Sequence, residues 1–197
     1  NGSPYNLDKM EKRLNTVVSR AVENEIPFIY LNMVGGQDEL IFDGGSFAVN
    51  QNGSLVCQLP MFETFDGVIE VKNKSASWEL NSKNLFKDQS SYESLYSAIL
   101  LSLRDYIYKN GFTKVVFGLS GGIDSALAAA LSVDAIGYEN VNCFMLPSKF
   151  TSQNSNDDAV DLANRLNIEL ENLSIEEVYN SVEKLLHKNF DKMEKDI

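Results

Sequence analysis

Val115-Val116-Phe117-Gly118-Leu119-Ser120-Gly121-Gly122-Ile123-Asp124-Ser125-Ala126-Leu127 is the stretch that decides the fold. Its first three residues are strand formers, and from Asp124 to Ile136 the chain turns Ala- and Leu-rich, which reads as a helix. The residues between must therefore turn the chain from a strand into a helix. Downstream the alternation continues: Val141 to Leu146 reads as a strand, Asn156 to Leu166 as a helix, and Ile168 to Leu173 as a strand. Continuously apolar strands alternating with helices specify an α/β domain built on a parallel sheet covered on both faces.

Upstream of that sheet, Ser90 or Ser91 is placed to cap a helix. Its apolar face is predicted at Tyr92, Leu95, Tyr96, Ile99, Leu100, Leu103, Tyr106 and Ile107, with Gly111 as its C′ stop. Residues 72–90 lapse into Lys, Asn, Ser and Asp and are expected to form a linker, with Trp78, Leu80, Leu85 and Phe86 as its anchors. The first seventy residues read as one helix followed by three strands. Leu7, Met10, Leu14, Val17, Val18 and Val22 form one face of that helix, with Lys12, Arg13, Arg20 and Glu23 on the other. Pro27 ends it, Phe28 to Leu31 reads as a buried strand, and Gly35-Gly36 as a loop. Asn52-Gly53 is the turn of a hairpin between Phe47–Val49 and Leu55–Cys57.

The turn at Gly118–Ser125 carries the chemistry. In parallel sheets, ligands bind beyond the carboxyl ends of the strands. Adjacent glycines let the backbone approach an anion, the helix N-terminus adds about half a positive charge, and the Ser120 and Ser125 hydroxyls can donate to the same oxygens. Asp124 would repel a bare phosphate, which makes sense if a hard cation such as Mg²⁺ lies between carboxylate and phosphate. The plainer alternative is a tight Ser-Gly-Gly turn with Asp124 as a helix cap. The Gly-Lys-Ser/Thr ending of a Walker loop and the G-x-G-x-x-G spacing of a dinucleotide fingerprint are both absent.

A formal net charge of −11 over 197 residues argues against nucleic acid as a partner, because phosphate backbones demand clustered Lys and Arg. The two cysteines, Cys57 and Cys143, have no zinc-site spacing and sit in apolar strands, so both are expected to be buried small hydrophobes in a reducing, cytoplasmic setting. No run approaches the ~20 apolar residues that cross a bilayer. The start at Asn1, with neither an initiating Met nor a signal peptide, leads us to expect that the chain begins inside a longer protein. Asp157, Asp158, Asp161 and His187 read as solvated helix faces. Lys149 and Arg165 could be phosphate ligands or ordinary surface residues.

Ser120-Gly121-Gly122-Ile123-Asp124-Ser125 resembles the SGGxDS loop of the ATP pyrophosphatase (PP-loop) superfamily. The flanking text selects within it. Arg104-Asp105-Tyr106, Lys109-Asn110-Gly111-Phe112, Val133-Asp134-Ala135-Ile136-Gly137 and Leu146-Pro147-Ser148-Lys149-Phe150-Thr151-Ser152 resemble the synthetase domain of NAD⁺ synthetases. Asn1-Gly2-Ser3-Pro4-Tyr5 and the run from Gly35 to Phe47 resemble the last third of a nitrilase-type glutaminase domain. The pairing is that of the glutamine-dependent NAD⁺ synthetases.

The resemblance implies the end of a nitrilase-like α/β sandwich over 1–71, a linker over 72–90, and a doubly wound PP-loop domain over 91–197 that is incomplete at its C-terminus. It implies ATP- and glutamine-dependent amidation of deamido-NAD⁺ to NAD⁺, with ATP bound by Gly118, Leu119, Ser120, Gly121, Gly122, Ile123, Asp124 and Ser125, and Mg²⁺ held by Asp124. It also implies glutamine contacts at Ser3 and Lys9, and a Glu/Lys/Cys triad upstream of Asn1, so that Cys57 is not the nucleophile. Deamido-NAD⁺ contacts are expected beyond residue 197. Glutamine or ammonia supplies the nitrogen, and a homo-oligomer is expected. The alternatives are another PP-loop amidating ligase, a tRNA thiolase (disfavoured by the acidic charge), or a non-catalytic segment when the chain stands alone.

Overall fold

The computed structural model describes residues 1–74, 77–87 and 89–190. The order of elements is α1 (Lys9–Asn24), β1 (Phe28–Tyr30), β2 (Val34–Gln37), β3 (Leu40–Asp43), β4 (Phe47–Val49), β5 (Leu55–Gln58), β6 (Glu70–Lys74), β7 (Ser77–Asn81), α2 (Ser91–Lys109), β8 (Val115–Gly118), α3 (Ile123–Ile136), β9 (Val141–Met145), α4 (Gln153–Leu166), β10 (Glu169–Asn172) and α5 (Glu176–Phe190). These form two compact units that divide between Gly111 and Phe112.

In the first unit, β1, β4 and β5 form an antiparallel sheet in the order β1-β4-β5. Strand alternation sorts its side chains to two cores. Phe47 and Val49 pack with Ala21 against the apolar stripe Met10, Leu14, Val17 and Val18 of α1. Ala48 points the other way and joins Cys57 and Leu80, backed by Val56, Leu59 and Ile69. The Asn52-Gly53 hairpin forms as expected, with Gly53 at a φ of 81°. Strand β1, read as buried, is exposed at its centre, at Ile29, and pairs with β4 alone.

Four further readings of this half are corrected. Gly35 and Gly36 are not a loop but lie in β2, paired with Phe42 and Ile41 of β3. Residues 72–90 are not simply a linker, for β6, exposed throughout, pairs antiparallel with β7, which buries Leu80 and is held to the sheet by Asn50. The Asn50 side chain accepts the Leu80 N–H at 2.8 Å and donates to the Leu80 carbonyl at 3.1 Å. Arg13 is buried rather than on the solvent face of α1. Helix α2 is capped by Ser90 in a full capping box with Glu93, but it buries Ser94, Ala98, Leu101 and Ile107, leaving Tyr92 87% and Tyr106 56% exposed.

The α2 face is chosen by its partner. Gly36 lies so close that a Cβ there would stand 3.1 Å from Ser102 Cα, so small helix residues face the β2–β3 hairpin. One turn further on, the free edge of β2 is caught by charged groups: Asp105 Oδ2 accepts the Gly36 N–H at 2.8 Å and Lys109 Nζ donates to its carbonyl at 2.6 Å. Capture of both backbone groups blunts an otherwise open strand edge.

The second unit is the expected mixed α/β arrangement around a parallel sheet, in the order β10-β9-β8 with both pairings parallel. Val141, Cys143 and Met145 alternate into the interior from β9. Helices α3 and α4 pack on each other, with Ala129, Ala159 and Ala163 buried. Helix α4 begins at Gln153, earlier than the predicted Asn156, because the Ser152 hydroxyl caps it by accepting the Ser155 N–H. No helix among the described residues is long and apolar enough to cross a membrane.

Candidate active site

The quoted strand-to-helix turn is where the sequence reading puts it, at the carboxyl end of β8. Leu119 is anchored beneath it, 2% exposed, with its N–H on the Phe144 carbonyl at 2.8 Å. From Ser120 the chain rises into the open and enters α3 at Ile123. Gly122 is the N-cap, so no side chain caps the first turn. The N–H groups of Ile123, Asp124 and Ser125 have no intrahelical acceptor and point outward with the positive end of the helix.

Three hydroxyls organise the loop behind those donors. The Ser120 N–H donates to Ser125 Oγ at 3.2 Å, the Gly122 N–H to Ser120 Oγ at 3.2 Å, and the Gly121 N–H to Ser155 Oγ at 3.0 Å. Ser120 Oγ and Ser125 Oγ lie 3.0 Å apart. The backbone is thus bent by neutral hydroxyl contacts, each of which a phosphate oxygen, as a stronger acceptor, is able to replace.

Gly121 earns its place by close approach and not by a left-handed φ. A Cβ on it would stand 2.7 Å from Ser155 Cα and 2.8 Å from Ser155 O, inside the contact distance of two backbone atoms of α4. Ser155 was not singled out from sequence. The one available signal was its place three residues after the cap Ser152, at the start of a helix on the same sheet edge.

Asp124 is the second residue of α3, exposed and inside the helix, so it is not the N-cap of the plainer reading. Among the described residues no group of three or more His, Cys, Asp or Glu forms a protein cage for a metal. A single carboxylate beside phosphate donors fits the habit of Mg²⁺, which takes one or two carboxylates together with substrate phosphates and water.

The remaining candidates fall outside this cluster. Lys149 Nζ stacks over the rings of Tyr179 at 4.6 Å and Phe150 at 5.1 Å, a cation–π arrangement. Arg165 pairs with Asp161 along α4 at 2.8 Å, and Asp157 accepts from Gln153, so the acidic run is a solvated helix face. Cys57 and Cys143 are buried and free, and burial pushes the Cys143 thiol pKa up. In the first unit, Ser3 is bound into the Arg13–Asp43 pair and Lys9 opens α1.

Comparison with known proteins fits this geometry. A family model described as NAD synthase matches residues 95–196, more than half of the chain and all but the last residue of the second unit. The chain belongs to the NAD synthase family. It is 47% identical over 176 residues to the glutamine-dependent NAD(+) synthetase of Rhodobacter capsulatus, covering 89% of this chain and 32% of that protein. It is 39% identical to the protein of the same description from Aquifex aeolicus, covering 91% of this chain and 37% of that protein.

Among solved structures, the glutamine-dependent NAD⁺ synthetase of Acinetobacter baumannii in complex with ADP superposes with a TM-score of 0.91 at 36% identity, over 100% of this chain and 37% of that one. The Cytophaga hutchinsonii synthetase shares the fold, with a TM-score of 0.77 at 15% identity. This member of the NAD synthase family thus spans about a third of the length of the curated relatives it matches.

Proposed function

We propose that this chain is a segment of a glutamine-dependent NAD⁺ synthetase, an ATP-consuming carbon–nitrogen ligase that amidates deamido-NAD⁺. On this reading residues 1–71 end a nitrilase-type glutaminase domain and 91–197 form the PP-loop domain, with the triad of the former outside the chain. The observation that carries the proposal is the Gly118–Ser125 turn, at the carboxyl edge of a parallel strand, with uncapped N–H groups and hydroxyls on one short arc. The Acinetobacter baumannii protein, which superposes on this chain, is in complex with ADP, which supports an adenine nucleotide as a ligand.

The reaction then runs in two steps. The nicotinate carboxylate of deamido-NAD⁺ attacks the α-phosphorus of ATP and pyrophosphate departs. Ammonia next displaces AMP from the acyl adenylate to leave the amide. The loop stabilises charge that accumulates on the departing β- and γ-phosphates, by donors fixed before the reaction begins. Asp124 would hold Mg²⁺, which when bound would neutralise phosphate charge. No side chain of the loop forms a covalent bond. The same reading carries a cytoplasmic homo-oligomer, and two buried free cysteines fit a reducing compartment.

Asp124→Asn in the intact synthetase tests it. Asn is tolerated in a first helical turn, so the fold should persist. Pyrophosphate release dependent on deamido-NAD⁺ should drop by at least about 100-fold, the scale on which removal of one preorganised charge-stabilising group acts. Unchanged release at limiting Mg²⁺ would reject the role of Asp124, and unchanged ATP binding in Ser120→Ala and Ser125→Ala variants would reject the loop as the phosphate site.

A further inference from the structure

Arg13 lies on α1 and is 7% exposed, yet a guanidinium in an interior must place all five of its N–H groups. It does so. Nη1 donates to both oxygens of Asp43 at 2.9 and 2.7 Å, Nη2 to the carbonyls of Ser3 and Pro4 at 2.8 and 3.1 Å, and Nε to the hydroxyl of Ser3 at 3.1 Å. Asp43 is fully buried and takes a further bond from Asn32 Nδ2 at 3.1 Å. Asn32 also holds Ser3 from both sides, accepting its N–H at 3.0 Å and donating to its carbonyl at 3.1 Å. The backbone of Ser3 has no freedom left, and its hydroxyl is oriented by one partner.

That partner fixes the polarity of the hydroxyl. A guanidinium donates and never accepts, so Ser3 Oγ meets Arg13 with a lone pair and its own proton is directed elsewhere. A latch for the N-terminal strand alone would need only the Ser3 and Pro4 carbonyls. The Nε contact instead reaches the side chain proposed to touch substrate. Lys9, the other proposed glutamine contact, stands four residues before Arg13 on α1, hence one turn away on the same face.

We propose that Arg13 is a positioning residue of the glutamine pocket: it holds Ser3 Oγ as an outward hydrogen-bond donor toward an acceptor oxygen of glutamine, and Asp43 keeps the guanidinium in register. The inference rests on the reading of Ser3 as a glutamine contact.

The test uses the intact synthetase with Ser3→Ala, Arg13→Lys and the double variant. It reads the KM for glutamine, the ratio of glutamine-supported to ammonia-supported NAD⁺ formation, and Tm. Lysine keeps the charge but loses the fork and the Nε donor. Each single variant should raise the glutamine KM by about tenfold or more, the scale of one hydrogen bond in a binding site. The double variant should be no worse than the worse single, because both act through the same Ser3 hydroxyl, one removing it and the other its orientation.

Effects that multiply in the double variant, or a folded Arg13→Lys with the parental glutamine KM, would overturn the inference. Should Arg13→Lys fail to fold, Arg13→Gln combined with Asp43→Asn removes the ion pair without stranding a buried charge. A parental glutamine KM in that variant overturns it equally. An unchanged KM in Ser3→Ala would defeat the reading of Ser3 and the inference with it, whereas a raised KM there beside unaffected Arg13 variants defeats the inference alone.

Discussion

Placing alanine at Gly121 and, separately, at Gly122 tests why two glycines stand at the phosphate loop. A Cβ at position 121 would lie 2.7 Å from Ser155 Cα, 2.8 Å from Ser155 O and 2.9 Å from Ser155 Oγ, and the first two belong to the α4 backbone. Ordinary contact begins at 3.4 Å, so loop and helix must separate by about 0.7 Å, and the bond from the Gly121 N–H to Ser155 Oγ stretches with them. Overpacking of this kind costs about 1–3 kcal/mol, offset by about 0.4–1 kcal/mol from the stiffer unfolded chain. The net loss of about 1–2 kcal/mol should lower Tm by a few degrees.

A shift approaching 1 Å in a positioning element costs up to about 100-fold in rate, so pyrophosphate release with ammonia as nitrogen donor should fall by at least about tenfold. Gly122 provides the contrast. Its Cβ would meet only the movable Ser120 Oγ, at 3.2 Å, and its φ of −83° suits any residue. The loss of a glycine N-cap there should cost less than about 1 kcal/mol. Calorimetric Tm and pyrophosphate release, measured on both variants of the intact synthetase, decide the matter. Equal destabilisation by the two substitutions, or a Gly121→Ala protein with parental Tm and rate, would refute the packing account.

Two further outcomes concern the first unit. Asn50→Ala leaves the Leu80 N–H and carbonyl without their side-chain partners and should destabilise by about 1–3 kcal/mol, seen as a lower Tm and faster amide exchange in β7. Glu93 accepts the Ser90 N–H at 2.8 Å, and this bond with the Ser90 backbone, reinforced by that with its side chain, holds its pKa below the ordinary 4.5. A depressed folded-state pKa gives stability that is present above the ordinary value and lost as pH falls through the lowered one. The Tm gap between the parent and Glu93→Gln should therefore narrow below pH 4.5, and a gap that widens on acidification would contradict the capping box as its source.

The strand-to-helix turn was legible because everything that builds it is contiguous: strand formers, paired glycines, two serines and a helix start within about a dozen residues. Arg13 was illegible for the opposite reason. Helical periodicity sends a charged residue outward, and its partner Asp43 lies thirty positions away, so only the folded chain shows that an interior acid awaits it. Gly35-Gly36 carried the composition of a loop, yet the pair serves close approach between β2 and α2. Helix α2 also buries the small Ser94 and Ala98 alongside Leu101 and Ile107, the Ser94 hydroxyl lying 2.7 Å from that of Tyr5. Hairpin β6–β7 escaped notice because Glu70–Lys74 is exposed throughout and so shows no alternation of burial. Ser155 was hidden in a run of polar residues, with nothing in the one-dimensional text to mark the glycine it would touch.

A net charge of −11 is compatible with the proposed triphosphate site because the two act over different ranges. The field of scattered surface carboxylates is screened over a Debye length of about 8 Å at physiological salt. The loop N–H groups and hydroxyls act in contact, at hydrogen-bond distance, through dipoles that carry no counter-ions of their own. On the proposed reading Asp124 then does more than hold a cation. Set on the first turn of α3, its carboxylate would oppose a phosphate that arrives alone, and a divalent ion held there would offset that charge. On that reading this repulsive element would bias the loop toward metal-complexed nucleotide over free phosphate, although none of its eight residues is a lysine or arginine.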